Sequence, residues 1–193
     1  MKHLILFFSA AVFLIFAESA VSAQQIVYAD ASAFPLYGKV SEDTDGRYER
    51  LPSHLKTVSR EPVWYLGRNS AGLYIRFRSN STSIHLRWES MFNNSMTHMT
   101  DTGTKGLDLY ALQDGEWRHV CSAQPQGKKS ERAVIRYMDP IEREYMLYLS
   151  LYDGISSLEI GVDEGASLDM PAVDSPSSER PVVMYGSSIL QGG

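Results

Sequence analysis

From residue 63 onward the chain breaks into short runs in which apolar and polar positions alternate, each closed by turn-forming residues. A period of two is the mark of strands with one face buried and the other wet. The first run, residues 63–67, leads into Asn69-Ser70-Ala71-Gly72. Leu73, Ile75 and Phe77 then alternate with Tyr74, Arg76 and Arg78, so the first set faces a core and the second faces water. Past Asn80-Ser81 the pattern returns in Ile84, Leu86 and Trp88 against His85 and Arg87, which predicts an antiparallel pair with the preceding run. Residues 107–112 and 117–121, joined by Gln113-Asp114-Gly115, predict a second hairpin. A third is predicted where residues 145–152 and 155–160 flank Asp153-Gly154, because Asp-Gly suits a type I′ turn whose two central residues have positive φ. Several short strands with almost no helix make the fold class all-β, a jelly-roll-like antiparallel β-sandwich, placed at residues 24–162. Alternation alone leaves the strand order open.

Two stretches break the pattern. At the front, Met1, Lys2 and His3 precede a mostly apolar run over residues 4–17, and Val21-Ser22-Ala23 supplies small residues at a cleavage position. Residues 1–23 thus read as a secretory signal peptide and predict a secreted or periplasmic protein. After Gly161 the alternation stops. Residues 163–180, with Pro171, Asp174, Ser175 and Pro176, read as a polar linker. Residues 181–185 are a compact apolar run without alternation, the pattern of a fully buried parallel strand, and Gly186-Ser187-Ser188 follows at once. Residues 181–193 thus read as one such strand and the turn that follows it. A lone strand with both edges unpaired is expected to be mobile or to lean on the sandwich.

Composition narrows the classes of partner. The 193 residues are 44% hydrophobic and 21% charged, which leaves disorder, coiled coil and collagen-like structure without support. A formal charge of −5 argues against a protein that grips nucleic acid through a basic surface. No apolar run beyond the leader approaches the roughly 18 residues that cross a bilayer. The single cysteine, Cys121, lies far from the cleavage site, so neither a disulfide framework nor a lipid anchor in the leader is expected.

A short buried strand running into a glycine-serine turn is a good place for a nucleophile, since the turn exposes a hydroxyl and the next backbone N–H groups face the developing oxyanion. The segment does not fit the Gly-x-Ser-x-Gly elbow, because Leu190 stands where the second glycine belongs. Tyr185-Gly186-Ser187-Ser188-Ile189-Leu190-Gln191-Gly192 does resemble the first sequence block of the SGNH (GDSL-like) hydrolases, in the variant with Gly-Ser-Ser-Ile followed by Gln-Gly. Gly106-Leu107-Asp108-Leu109-Tyr110 resembles the Gly-x-Asp-Leu-Tyr signature of the β-rich domain that precedes the catalytic domain in one SGNH subfamily. The resemblance implies that Ser188 is the acyl-accepting nucleophile, that its N–H contributes to the oxyanion hole, that Gly186 belongs to the motif with Ser187 standing where many members have aspartate, and that residues 181–193 begin an α/β SGNH hydrolase domain cut short after its first strand. It implies no cofactor and no metal. It also implies an Asp-x-x-His pair and further oxyanion residues in a catalytic domain downstream, the missing partner of this chain. Without a histidine base a serine hydroxyl is a poor nucleophile at neutral pH, so residues 1–193 alone are expected to be inactive.

Other residues admit plainer readings. Asp108 and Tyr110 share a strand face away from Leu107 and Leu109, and Asp108 reads as an acceptor of hydrogen bonds at a loop or interdomain seam. Gly106 reads as serving backbone geometry. His98, Asp101 and Asp108 carry metal-ligating groups at a spacing that matches no closed site, and His54, His85 and His119 read as surface residues. Eleven tyrosines and three tryptophans suit either a sugar-stacking platform or sandwich packing, with Trp88 and Trp117 in or near the core. Asn80-Ser81-Thr82 and Asn93-Asn94-Ser95 match the glycosylation sequon. Two functional classes follow: the front part of an exported esterase of O-acyl groups, acetyl included, on carbohydrate or related substrates, or a non-catalytic carbohydrate-binding or structural sandwich.

Overall fold

The computed structural model describes residues 24–173, 184 and 186–191. The expected signal peptide, residues 174–180 of the expected linker, and residues 181–183 and 185 of the expected strand lie outside them. The strands are β1 Ile26–Asp30, β2 Leu36–Tyr37, β3 Tyr74–Ser79, β4 Ile84–Ser90, β5 Leu107–Gln113, β6 Glu116–Ala123, β7 Lys129–Ile135, β8 Arg143–Tyr148 and β9 Ile155–Asp163. Among the described residues three short α-helices accompany them: α1 Glu61–Gly67, α2 Asp101–Lys105 and α3 Ser188–Gln191.

The strands form two antiparallel sheets, ordered β1-β9-β4-β7 and β2-β3-β8-β5-β6. Their inner faces close over one apolar layer. Leu73, Ile75 and Phe77 meet Leu107, Leu109 and Leu147 within the five-stranded sheet, and Ile84, Leu86, Trp88, Leu158 and Ile160 face them from the other. Each such side chain taken out of water contributes about 1.5–3 kcal/mol, and the alternation that predicted this face holds along β4, where every second residue from Ile84 to Ser90 is buried. The fold is the expected all-β sandwich.

Pairing departs from expectation twice. β3 and β4 do not form a hairpin: β3 pairs with β2 and β8, whereas β4 pairs with β7 and β9 in the opposite sheet. The same holds for β8 and β9, so the chain crosses between sheets at residues 80–83 and again at 149–154. Neither Asp153 nor Gly154 has positive φ. Asp153 is wholly buried and its carboxylate accepts the backbone N–H groups of Phe92 (2.9 Å) and Asn94 (2.6 Å), so it anchors a crossover rather than turning a hairpin. The expected hairpin between β5 and β6 is present, and there Asp114 (φ 53°) and Gly115 (φ 80°) make the type I′ turn.

Residues 63–67 belong to helix α1 rather than a strand. Pro62 sits in its first turn, where a missing N–H costs nothing, and Arg60 accepts the first amides. Strand β9 extends to Asp163, and the following segment lies on the sandwich. Asp169 exchanges two backbone bonds of 2.9 Å with Arg78, and the Glu144 carboxylate accepts the N–H groups of Ala172 (2.6 Å) and Val173 (3.2 Å). The outer face of β3 is correspondingly less wet than its sequence suggests. Arg76 is 4% exposed, donates to the Val173 carbonyl at 2.7 Å and lies over the rings of Trp117 and Tyr37.

Candidate functional site

Strand β5 carries the Gly-x-Asp-Leu-Tyr residues. Leu107 and Leu109 enter the core, while Asp108 and Tyr110 lie on the outer face of the five-stranded sheet. Gly106 stands between α2 and β5 with φ −75°, a value open to any residue, so it is not there for a left-handed backbone. Its role is close approach. A Cβ at this position would collide with the Thr102 carbonyl oxygen and lie 2.9 Å from that of Ala123. The preceding helix is capped by Thr100 Oγ1, and its last residue, Lys105, is buried with its ammonium bonded to Asn93 Oδ1 (2.8 Å) and 3.2 Å from Asp101.

On the outer face, Asp108 Oδ1 accepts from the Ser122 hydroxyl at 2.5 Å, and His119 Nε2 lies 3.2 Å from that same hydroxyl. Here the serine bridges histidine and carboxylate. In a nucleophilic triad the histidine stands in the middle, so this group is not one. Tyr110 meets His119 and Tyr148 edge-on, and the row continues through Tyr74 to Tyr37, with Tyr37 and Tyr74 stacked at 5.3 Å and 15°. Burial raises the Tyr74 and Tyr148 hydroxyls above the ordinary phenol value. Trp88 is in the core with its Nε1 donating to the Lys105 carbonyl, and Trp117 is half-buried beside Arg76.

Ser188 opens α3 and is exposed. The Ser187 carbonyl accepts the N–H groups of Leu190 (3.0 Å) and Gln191 (3.3 Å), and the space over Gly186 is filled by Leu190, 3.0 Å from where a Cβ would stand. This turn is not free of the sandwich. The Tyr152 hydroxyl donates to the Ser188 carbonyl at 2.9 Å, and Gln191 Nε2 donates to the Leu151 carbonyl. Both contacts come from the β8–β9 crossover, whose Tyr152 N–H in turn donates to the Thr104 carbonyl at 2.8 Å, two residues before Gly106. The structure thus brings the Ser188 turn and the start of the Gly106 strand to one end of the sandwich, through Tyr152.

It does not assemble the other candidates. Asp101 is bonded to Lys105 and Ser95, and those bonds hold its carboxyl below the usual range, whereas Asp108 is engaged with Ser122 and His98 is exposed. Among the described residues no group of three His, Cys, Asp or Glu could hold a metal ion, and no helix is long and apolar enough to cross a membrane. His54 and His119 are exposed, and His85 is half-buried. Asn80 and Asn93 of the sequons use their side-chain oxygens to accept from Ser167 N–H and Lys105 Nζ. A shallow cavity of about 390 Å³ on the four-stranded sheet is lined by Arg87, Glu89, Lys129 and Glu131, charges that pair with one another. Tyr152 is the residue whose contact with α3 sequence patterning did not show. It closes an alternating run beside an Asp-Gly signal and reads as the end of a hairpin strand.

Residues 26–168 match the family described as GxDLY, the N-terminus of Esterase_SGNH_hydro-type. The chain belongs to the GxDLY family. As a GxDLY domain it is similar to a Bacteroides ovatus protein described as a GDSL-like lipase, with 35% identity, a TM-score of 0.77, and coverage of 87% of this chain and 49% of that one. It also shares its fold with the salicylyl-acyltransferase SsfX3 of a tetracycline biosynthetic pathway, at 19% identity and a TM-score of 0.55 over 79% of this chain and 43% of that one. The GxDLY chain therefore spans about half the length of these two structures. No curated protein matches it.

Proposed function

We propose that this GxDLY chain is the front part of an exported SGNH-type ester hydrolase, with Ser188 as nucleophile and a catalytic domain that begins at residues 181–193. In that reaction Ser188 Oγ attacks the ester carbonyl carbon and gives its proton to a histidine of the downstream domain. The Ser188 N–H stabilises the oxyanion, the alcohol leaves with that proton, and water then releases the acid from the acyl-enzyme. The substrate is an O-acyl ester, acetyl among its acyl groups, on a carbohydrate or related alcohol. The observation that carries this reading is the Ser188 turn bonded to the GxDLY sandwich at the crossover beside Gly106. The domains follow as residues 1–23 for the leader, 24–162 for the sandwich, 163–180 for the connection and 181–193 for the start of the hydrolase.

Full-length gene product, including sequence beyond residue 193, should hydrolyse p-nitrophenyl acetate, begin at Gln24 after export, and lose at least about 10³-fold in kcat on S188A. The 193-residue chain should show no turnover. Undiminished hydrolysis by S188A would remove the assignment. A sandwich that binds sugar without chemistry has less support. Rings stacked on one another at strand spacing, as Tyr37 and Tyr74 are, turn their faces to each other and not to a ligand.

A further inference from the structure

The geometry points to Tyr152 as a positioning residue for Ser188, through which the sandwich itself sets the direction of the candidate nucleophile. The inference rests on the reading of Ser188 given above and deepens it. Tyr152 is 6% exposed, so its hydroxyl reaches α3 from within the folded sandwich. Its own backbone is fixed on both sides: its N–H donates to the Thr104 carbonyl at 2.8 Å and its carbonyl accepts Asn94 Nδ2 at 2.8 Å. Its neighbour Asp153 is wholly buried, and the Asp153 carbonyl accepts the Ser70 N–H at 3.0 Å. A side chain mounted in this way is a rigid donor.

Its target is the Ser188 carbonyl oxygen. A peptide unit is planar, so holding that oxygen limits how the plane linking Ser188 to Ile189 can tilt, and with it the bond vectors at the Ser188 Cα. A second contact, Gln191 Nε2 to the Leu151 carbonyl, comes from the far end of this single turn and opposes rotation about the first. The two bonds define an orientation where one would define only a position. Attack on a carbonyl is sensitive to such placement, because small displacements of a nucleophile forfeit the near-attack geometry. Tyr152 touches no substrate in this scheme and acts through Ser188.

The test uses Y152F, which removes one oxygen and keeps the buried ring, with Q191A as a second variant at the margin of the fold. In the 193-residue chain, hydrogen exchange at the Leu190 and Gln191 amides should quicken about two- to tenfold in either variant, the worth of one hydrogen bond, while Leu147 and Ile160 keep their protection. In the full-length product, kcat and the rate of Ser188 labelling by a fluorophosphonate should fall by a similar factor, with KM and thermal midpoint unchanged. Wild-type exchange and wild-type kcat in Y152F overturn the inference. So does a kcat that falls only in proportion to folded protein. If the wild-type full-length product neither hydrolyses esters nor takes the label, the assignment of Ser188 fails and the positioning role fails with it, and the exchange data then register a tether alone.

Discussion

Four donors converge on the carboxylate of Asp163: the backbone N–H and hydroxyl of Thr82 and the same two groups of Ser83. Burial pushes this carboxyl up, but the bonds from Ser83 and Thr82 outweigh it and hold it below the ordinary value. A carboxyl lowered by folding stabilises the protein above its unfolded value of about 3.9, and that contribution is lost as pH falls through the lower folded value. D163N should therefore lower stability at pH 7 by about 1–3 kcal/mol in urea titration, since an amide cannot accept from all four donors. It should also flatten the decline in thermal midpoint below pH 4, and an acid limb as steep as the wild type's would contradict this account. Residues of this kind are hard to find from pattern. Asp163 follows Gly161 at the point where alternation ends and reads as the first residue of a linker. Arg76 reads as a wet position because its neighbours alternate, yet it is 4% exposed beneath Val173. In both cases burial comes from a segment distant in sequence.

At the scale of elements, the junction between α2 and β5 is the tightest part of the motif. G106A would press a methyl group against two backbone carbonyls that belong to the helix and to β6, neither of which can rotate away. The expected cost is about 1–3 kcal/mol, the usual penalty for overpacking, seen as a lower calorimetric midpoint with the hairpin turn at Asp114-Gly115 unchanged. An unaltered midpoint would mean that the junction relaxes freely. Which strands exist was largely legible from alternation, because β3, β4, β5, β8 and β9 each turn a row of apolar side chains to the core. Which strands pair was not. The same Asp-Gly dipeptide makes a hairpin at 114–115 and a sheet crossover at 153–154, since at the second position the carboxylate is taken up by the Phe92 and Asn94 amides. The Gly-x-Asp-Leu-Tyr block at residues 106–110 was readable because its residues are contiguous. The bond from Tyr152 to Ser188 was not, because 36 residues separate its ends.

For the molecule as a whole, the described residues beyond β9 are fastened to the sandwich at Asp169 by Arg78, at Ala172 and Val173 by Glu144 and Arg76, and again at α3 by Leu151 and Tyr152. Val173 on one side of residues 174–185 and α3 on the other are both held on the sandwich, and the cost of closing a segment between fixed ends grows only slowly with its length, by about 0.6 kcal/mol per doubling. Inserting a glycine-serine segment of equal length after Ser177 should leave exchange at Leu190 within about threefold of the wild type. Release as complete as that of a Y152F/Q191A double variant would place the control in the length of the stretch instead of its two moorings. A body joined to a neighbour by one free strand can swivel, whereas one whose first helix is already bolted down inherits its heading. Anything built onto Gln191 would start with its angle to the sandwich decided in advance, so the cleft between the two could be cut to shape without waiting for a hinge to swing.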